Sequence, residues 1–216
     1  MTGDLFGRPT YDGDLGQFHT PPWLADRLAS MLYMGNQLDA AVLEPCAGAG
    51  GLVAAAMRAG FSEIVAMELD GRWEKEFWLN VNAVDPKPLG VTLEICDSLN
   101  PVAVEGALII PSRAAAGYAA LSNPPYDDGI DAAHMERDRQ VCRSGVALLR
   151  TVALHGGDRF ARFWRHVEIT ALEFYVDRVS FDGNTGKIDV CGVAWRRRTK
   201  DATDRPTVLH VRGPGR

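Results

Sequence analysis

The chain has 216 residues, 46% of them hydrophobic and 24% charged, which is the composition of an ordinary globular domain with enough length for one full core. No apolar run approaches the ~20 residues of a membrane helix, and no basic patch followed by an apolar stretch marks a secretory signal, so the sequence predicts a cytoplasmic protein without a membrane partner. The net charge of −5 hides an asymmetry: residues 1–133 hold 7 Lys/Arg against 18 Asp/Glu, residues 134–216 hold 16 against 10, and a local positive patch is all that a phosphate backbone requires.

Residues 1–17, rich in Gly and Asp and without periodicity, predict a flexible arm. "FHTPPWLADRLASMLYM" then places Leu24, Leu28, Met31 and Leu32 at helical spacing, with Thr20 as a cap and prolines opening the helix. "AAVLEPCAGAGGLVAAAMRAG" reads as a strand over 41–44, a glycine-rich turn, and an alanine-rich helix stopped by Gly60. "EIVAMELD", "GRWEKEFWLNVNA" and "VTLEICD" continue the alternation as strand, helix and strand. "GALIIP" is either a strand piece or a loop, and "YAALSN" is a strand. "HMERDRQVCRSGVALLRTVALHGG" predicts one long helix and "RFARFWRHV" a short one.

"ITALEFYVDRVSF" and "IDVCGVAWRRR", joined by "DGNTGK", predict an antiparallel hairpin, and the tail from Asp201 onward is polar. Alternating strands and helices imply an α/β fold with a mostly parallel sheet, Rossmann-like, closed by that hairpin. The expected organisation is one domain over residues 18–200 between the arm and a tail at 201–216. The four cysteines, Cys46, Cys96, Cys142 and Cys191, form no C-x-x-C pair; they predict buried thiols, with no metal site and no disulfide framework.

The turn "EPCAGAGG" (Glu44, Pro45, Cys46, Ala47, Gly48, Gly50) sits where a strand hands over to a helix at the carboxyl edge of a parallel sheet, where such sheets bind ligands. Glu44 just before it would repel a phosphate and attract an ammonium group. Glu68, followed by Leu69, lies 20 residues beyond Gly48, at the distance where an acid receives ribose hydroxyls, with Asp70 the less favoured candidate. Asp97, followed by Ser98 and Leu99, ends the third strand and is placed to accept an adenine amino group. Three strand-end acids suit a nucleoside without phosphates, and S-adenosyl-L-methionine carries both an ammonium and a sulfonium.

"LSNPPYDDG" supplies the rest. Two acceptors, the Asn123 side-chain carbonyl and the Pro124 backbone carbonyl, aimed at the two N–H bonds of an aromatic amine would favour a pyramidal nitrogen with its lone pair toward a methyl donor. Pro124 and Pro125 hold φ at about −65° and remove competing N–H donors, and Tyr126 would stack on the base. In order, "FHTPPWLA", "LEPCAGAGGL", "AMELD", "ICDSL" and "NPPY" resemble the amino-group DNA methyltransferases that modify N6 of adenine, over roughly the first 130 residues. The resemblance implies the S-adenosylmethionine-dependent methyltransferase fold, methylation of a flipped adenine in DNA, and a pocket for the methionine end of the cofactor at Phe18, Thr20 and Pro21. It also places a second aromatic, Phe181, against the far face of the base.

Arg139 and Arg143, one helical turn apart after the loop, are the candidate phosphate contacts, and core packing or solvation is the alternative for Phe181 and for "WRRRTK". Nothing resembles a large target-recognition domain, which predicts recognition through loops, the hairpin, the arm or a second subunit such as a homodimer partner, as in compact phage-borne enzymes. The competing readings are methylation of RNA adenine or of a protein glutamine, and a non-catalytic cofactor-binding partner subunit.

Overall fold

The computed structural model describes residues 19–34, 41–108, 117–126, 129–175, 179, 181 and 188–198; the predicted arm, the tail and Phe18 lie outside them. The elements follow one another as α1 (Pro22–Met34), β1 (Ala41–Glu44), α2 (Gly51–Arg58), β2 (Ile64–Glu68), α3 (Glu74–Val84), β3 (Val91–Ile95), α4 (Pro101–Ala107), β4 (Tyr118–Ser122), α5 (Ile130–Val141), β5 (Cys142–Arg150), α6 (Gly157–Arg162), β6 (Val167–Phe174) and β7 (Val190–Arg197). The strands form one seven-stranded sheet in the order β3-β2-β1-β4-β5-β7-β6. β1 to β5 are parallel; β7 pairs antiparallel with both β5 and β6. The α/β architecture with an antiparallel hairpin is the one the sequence predicts.

Strand pleating sends alternate residues to two cores. Val42, Ile64, Ala66, Leu121, Val146 and Leu148 pack beneath α1, α2 and α3 with Leu24, Val53, Phe77 and Val81. Leu43, Val65, Met67, Ala147, Leu149 and Trp195 pack on the other face with Val104 of α4, Met135 of α5 and Phe163 after α6. A sheet covered on both faces has near-continuous apolar strands, and β1, β2 and β4 are buried at every position.

That property explains the main correction. The predicted long helix over 134–157 is α5 followed by β5 and a 3₁₀ turn at Thr151–Leu154. "VALL" within β5 is an apolar run buried on both faces, and such a run carries no period to separate strand from helix. Part of "GALIIP" belongs to α4, which starts on an Asn100 side chain accepting from the Val102 amide with Pro101 in its first turn. Only Cys142 and Cys191 are fully buried; Cys46 and Cys96 are partly exposed.

Gly145 is required at the centre of β5, because a Cβ there would lie 2.8 Å from the Ala120 Cβ and carbonyl oxygen and from the Trp195 ring. Gly145→Ala overpacks the β4–β5–β7 junction by about 1–3 kcal/mol. The expected outcome is a melting temperature lower by about 2–10 °C, read by circular dichroism; an unshifted melting curve would show that the junction yields without strain.

Candidate functional site

Parallel pairing sets the carboxyl ends of β1 to β5 on one edge of the sheet, and the order reverses between β1 and β4, the switch point where such folds bind ligands. A cavity of about 830 Å³ opens there. Its wall includes Thr20, Pro45, Cys46, Ala47, Gly48, Glu68, Leu69, Asp97, Ser98, Leu99, Asn123 and Pro125 from the sequence-derived set.

The glycine turn is built by backbone geometry. Gly48 has φ +48° and Gly50, the N-cap of α2, has φ +80°, a region costly for side chains. A Cβ on Gly50 would also sit 2.9 Å from the Phe77 ring. Glu68 fastens the turn: its carboxylate accepts from the Gly48 amide at 2.6 Å and from the Asp70 amide at 2.8 Å. Burial raises its pKa while these amide bonds pull it down. With the Leu69 amide also directed at it, the carboxylate keeps lone-pair capacity for a hydroxyl donor. Leu69, a large apolar side chain 63% exposed, stands beside it on the cavity wall, positioned to cover a planar ring. Asp97 commits one oxygen to the Leu99 amide at 2.9 Å. Asp70 instead caps the following turn and pairs with Arg72 at 2.6 Å.

Glu44 is corrected. The residue is fully buried and does not line the cavity; Oε1 accepts from the Cys46 amide at 2.9 Å, and Oε2 has no partner among the described residues. Burial raises its pKa well above its ordinary value, which disfavours the charge that would attract an ammonium, while its bond to the Cys46 amide braces the turn. Pro21 is likewise off the wall, its carbonyl receiving the Leu24 and Ala25 amides at the start of α1.

The loop after β4 is held from two sides. The Asn123 Nδ2 donates to Thr20 Oγ1 at 3.0 Å, and the Tyr126 hydroxyl donates to Asn123 Oδ1 at 2.7 Å. Thr20 therefore orients the loop amide rather than capping α1. Tyr126 is only 5% exposed and belongs to the core beneath α1; neither it nor Pro124 contributes to the cavity wall. Stacking on a base requires the ring to leave that core. Phe181 is 0% exposed in the same core and is not part of the cavity wall.

Topology places Arg139 and Arg143 away from the cavity. β5 runs parallel to β4 with Tyr118 opposite Cys142 and Ser122 opposite Ala147, which puts Arg143 at the sheet edge remote from the loop. α5 leads away from the cavity, where Ile130 lines it, and Arg139 near its far end donates to the Arg162 carbonyl at 2.6 Å. The "RRR" run occupies the same remote edge, where Arg196 pairs with Glu168 at 2.8 Å and Arg198 donates to the Val167 carbonyl.

His134, one turn into α5, lines the cavity unpredicted. It is 6% exposed with Cys46 Sγ 3.6 Å from Nδ1, and burial lowers its pKa to about 4, so the imidazole is neutral with one donor and one acceptor to offer. Its signal was the stripe Asp131, His134, Asp138 on one face of a helix, all buried. Asp131 pairs with Arg159 at 3.1 Å and Asp138 with the Ser122 hydroxyl at 3.2 Å. Asn80, which donates to the Ala49 carbonyl at 2.8 Å, and His19, edge-on to Trp73 with ring centres 4.3 Å apart, also line the wall, as do Arg58, Leu52, Ala83 and Val84. Among the described residues no group of His, Cys, Asp and Glu is placed to hold a metal ion, and no helix is long and apolar enough to cross a membrane.

No family model and no curated protein sequence matches the chain. Solved structures do. A candidate RNA methyltransferase from Pyrococcus horikoshii superposes with a TM-score of 0.68 at 15% identity, over 91% of this chain and 92% of that one. A candidate class I S-adenosylmethionine-dependent methyltransferase from Listeria monocytogenes gives 0.65 at 12% identity, over 97% and 69%. The methyltransferase subunit of a type I restriction-modification system from Streptococcus thermophilus gives 0.60 at 13% identity, over 85% of this chain and 45% of that one, so the chain spans less than half of it. With its parallel sheet, antiparallel closing strands and cavity at the switch point, the chain has the fold of the S-adenosylmethionine-dependent methyltransferases.

Proposed function

We propose that the chain transfers the methyl group of S-adenosylmethionine to N6 of a flipped adenine in DNA. The observation that carries this reading is Asn123, at the cavity wall on an Asn-Pro-Pro-Tyr loop, its amide fixed by Thr20 and facing the same space as Glu68 and Asp97. S-adenosylmethionine supplies an electrophilic methyl group on a sulfonium. The cavity's volume is that of a small-molecule site, and its donors and acceptors fit the cofactor: Glu68 for ribose hydroxyls, Asp97 with Ser98 and Leu99 for the adenine, Leu69 for the ring face, and the turn Pro45 to Gly48 with Thr20 for the methionine end.

Asn123 Oδ1 accepts one N–H of the substrate amine and the Pro124 carbonyl the other, which localises the nitrogen lone pair. Tyr126 presently donates to that Oδ1. Substrate entry exchanges one donor for another at a single acceptor, so Asn123 Oδ1 stays paired while the Tyr126 hydroxyl turns to solvent. The ring thus released stacks on the base, offsetting the few kcal/mol of extrusion. Proton loss after transfer needs no strong base, since N-methylation makes the nitrogen acidic.

Methylation of an RNA adenine is the second reading, favoured by the likeness to a candidate RNA methyltransferase that covers nearly the whole chain. Tritiated methyl transfer to unmethylated DNA, to total RNA and to release-factor protein separates the readings. Label is expected in DNA; label confined to RNA or to protein overturns the first choice.

A further inference from the structure

The sheet edge divides at the switch point. The ends of β2 and β3 carry the acids of the cavity, and the ends of β4, β5 and β6 with the start of β7 form the other half, beside the Asn123 loop. Two exposed side chains border that second half, Arg150 on its strands and Trp23 on α1.

Arg150 ends β5, three residues beyond Ala147, the partner of Ser122, and opposite Val190 at the start of β7. Val146 and Leu148 face the core under α1, and alternation sends Arg150 to that same face, where its charge acts on Tyr126. The side chain is exposed, and among the described residues its guanidinium makes no hydrogen bond or ion pair. Trp23 stands on the same face, in the first turn of α1 next to the cavity-lining Pro22. It is 56% exposed and touches Tyr175, just past the end of β6, edge-on with ring centres 5.7 Å apart. An indole propped on a second aromatic and open to solvent is a stacking platform. Among the described residues Glu173 is paired with Arg27 and Asp131 with Arg159, while Asp189, exposed beside Val190 with its carbonyl accepting from the Thr151 amide, is the acid nearest to Arg150 in register.

We propose that Arg150 and Trp23 seat the nucleic-acid strand flanking the target base, Arg150 on a phosphate and Trp23 against a neighbouring base, replacing Arg139 and Arg143 as the backbone contacts. A guanidinium paired with stacking aromatics is the combination by which proteins track single strands without reading sequence. The assignment rests on the nucleic-acid reading above, and it makes a flexible strand spanning the loop, rather than a protein glutamine, the fitting occupant of this edge.

The test is fluorescence anisotropy of the full chain with a labelled random-sequence single-stranded DNA across a salt series, with S-adenosylhomocysteine affinity as the folding control. Arg150→Ala is expected to flatten the slope of log affinity against log salt by about 0.7, the release of one phosphate contact. Arg150→Lys keeps the slope. Trp23→Ala weakens binding on the order of ten-fold with the slope unchanged. An unaltered slope in Arg150→Ala, or unaltered affinity in Trp23→Ala, overturns the proposal while methyl transfer to nucleic acid by the wild-type chain keeps the underlying reading intact. Wild-type label entering protein and no nucleic acid removes both.

Discussion

Asn123→Ala lowers the methyl-transfer rate constant about 10²–10³-fold, the cost of removing one preorganised dipole from the reacting atom. The prediction is specific because the loop keeps its other parts: the prolines still fix the Pro124 carbonyl, and the acids at the ends of β2 and β3 remain in place. Affinity for S-adenosylhomocysteine, measured by calorimetry, therefore changes only a few-fold. Tyr126→Phe is the companion variant. It keeps the ring for stacking and removes the hydroxyl that holds Asn123 Oδ1 at 2.7 Å, so the substrate amine meets no competitor. Its KM for nucleic acid falls by a factor of about 2–10, the worth of one hydrogen bond, and its kcat stays within a few-fold of wild type. Were Asn123→Ala to methylate at the wild-type rate, the acceptor would lie elsewhere. Were Tyr126→Phe to raise KM as strongly as Tyr126→Ala, the hydroxyl would contact substrate rather than give way to it.

How the sequence announced these parts depends on the range of the interactions that place them. The glycine turn was legible because positive φ at Gly48 and Gly50 is a local demand that few side chains tolerate, and because the acid after β2 lies one β-α-β unit further on. The hairpin was legible from two β-rich runs joined by Asp, Gly and Asn. β5 was not, since a strand covered on both faces loses its period. The placement of the arginines was not legible for a different reason. Helical spacing relates 139 to 143, whereas which edge of the sheet they reach is set by the direction of α5 and the register of β5, and both are products of long-range pairing. His134 and the Thr20–Asn123–Tyr126 chain depend on how helices dock over the strand ends, which no window of sequence contains.

A buried carboxyl beneath the site makes stability depend on pH. Asp138 of α5 is 1% exposed, held by the Ser122 hydroxyl, and pushed up to about 7, mainly by burial; that hydroxyl and the charge of Arg137 oppose the shift. A carboxyl with a folded pKa above its unfolded value of 3.8 binds more protons in the folded chain, so stability is greatest at low pH and declines as pH rises from about 4 to about 7. The unfolded chain ionises freely in that window, and the folded chain must either keep the proton or bury a charge. The loss amounts to at most about 4 kcal/mol at 1.36 kcal/mol per unit. Asp138→Asn keeps an acceptor for Ser122 and carries no titrating proton. Its stability relative to wild type is near parity at pH 4 and greater at pH 8.5, read as a wild-type urea midpoint that falls across the interval and a variant midpoint that falls less. Glu44, fully buried and shifted in the same direction, acts alongside it, and Glu44→Gln with Asp138→Asn flattens the profile further. Parallel profiles for wild type and both variants would show that Asp138 is ionised in the folded protein, and that a charge beneath the loop, rather than a shared proton, holds α5 to the strand ends.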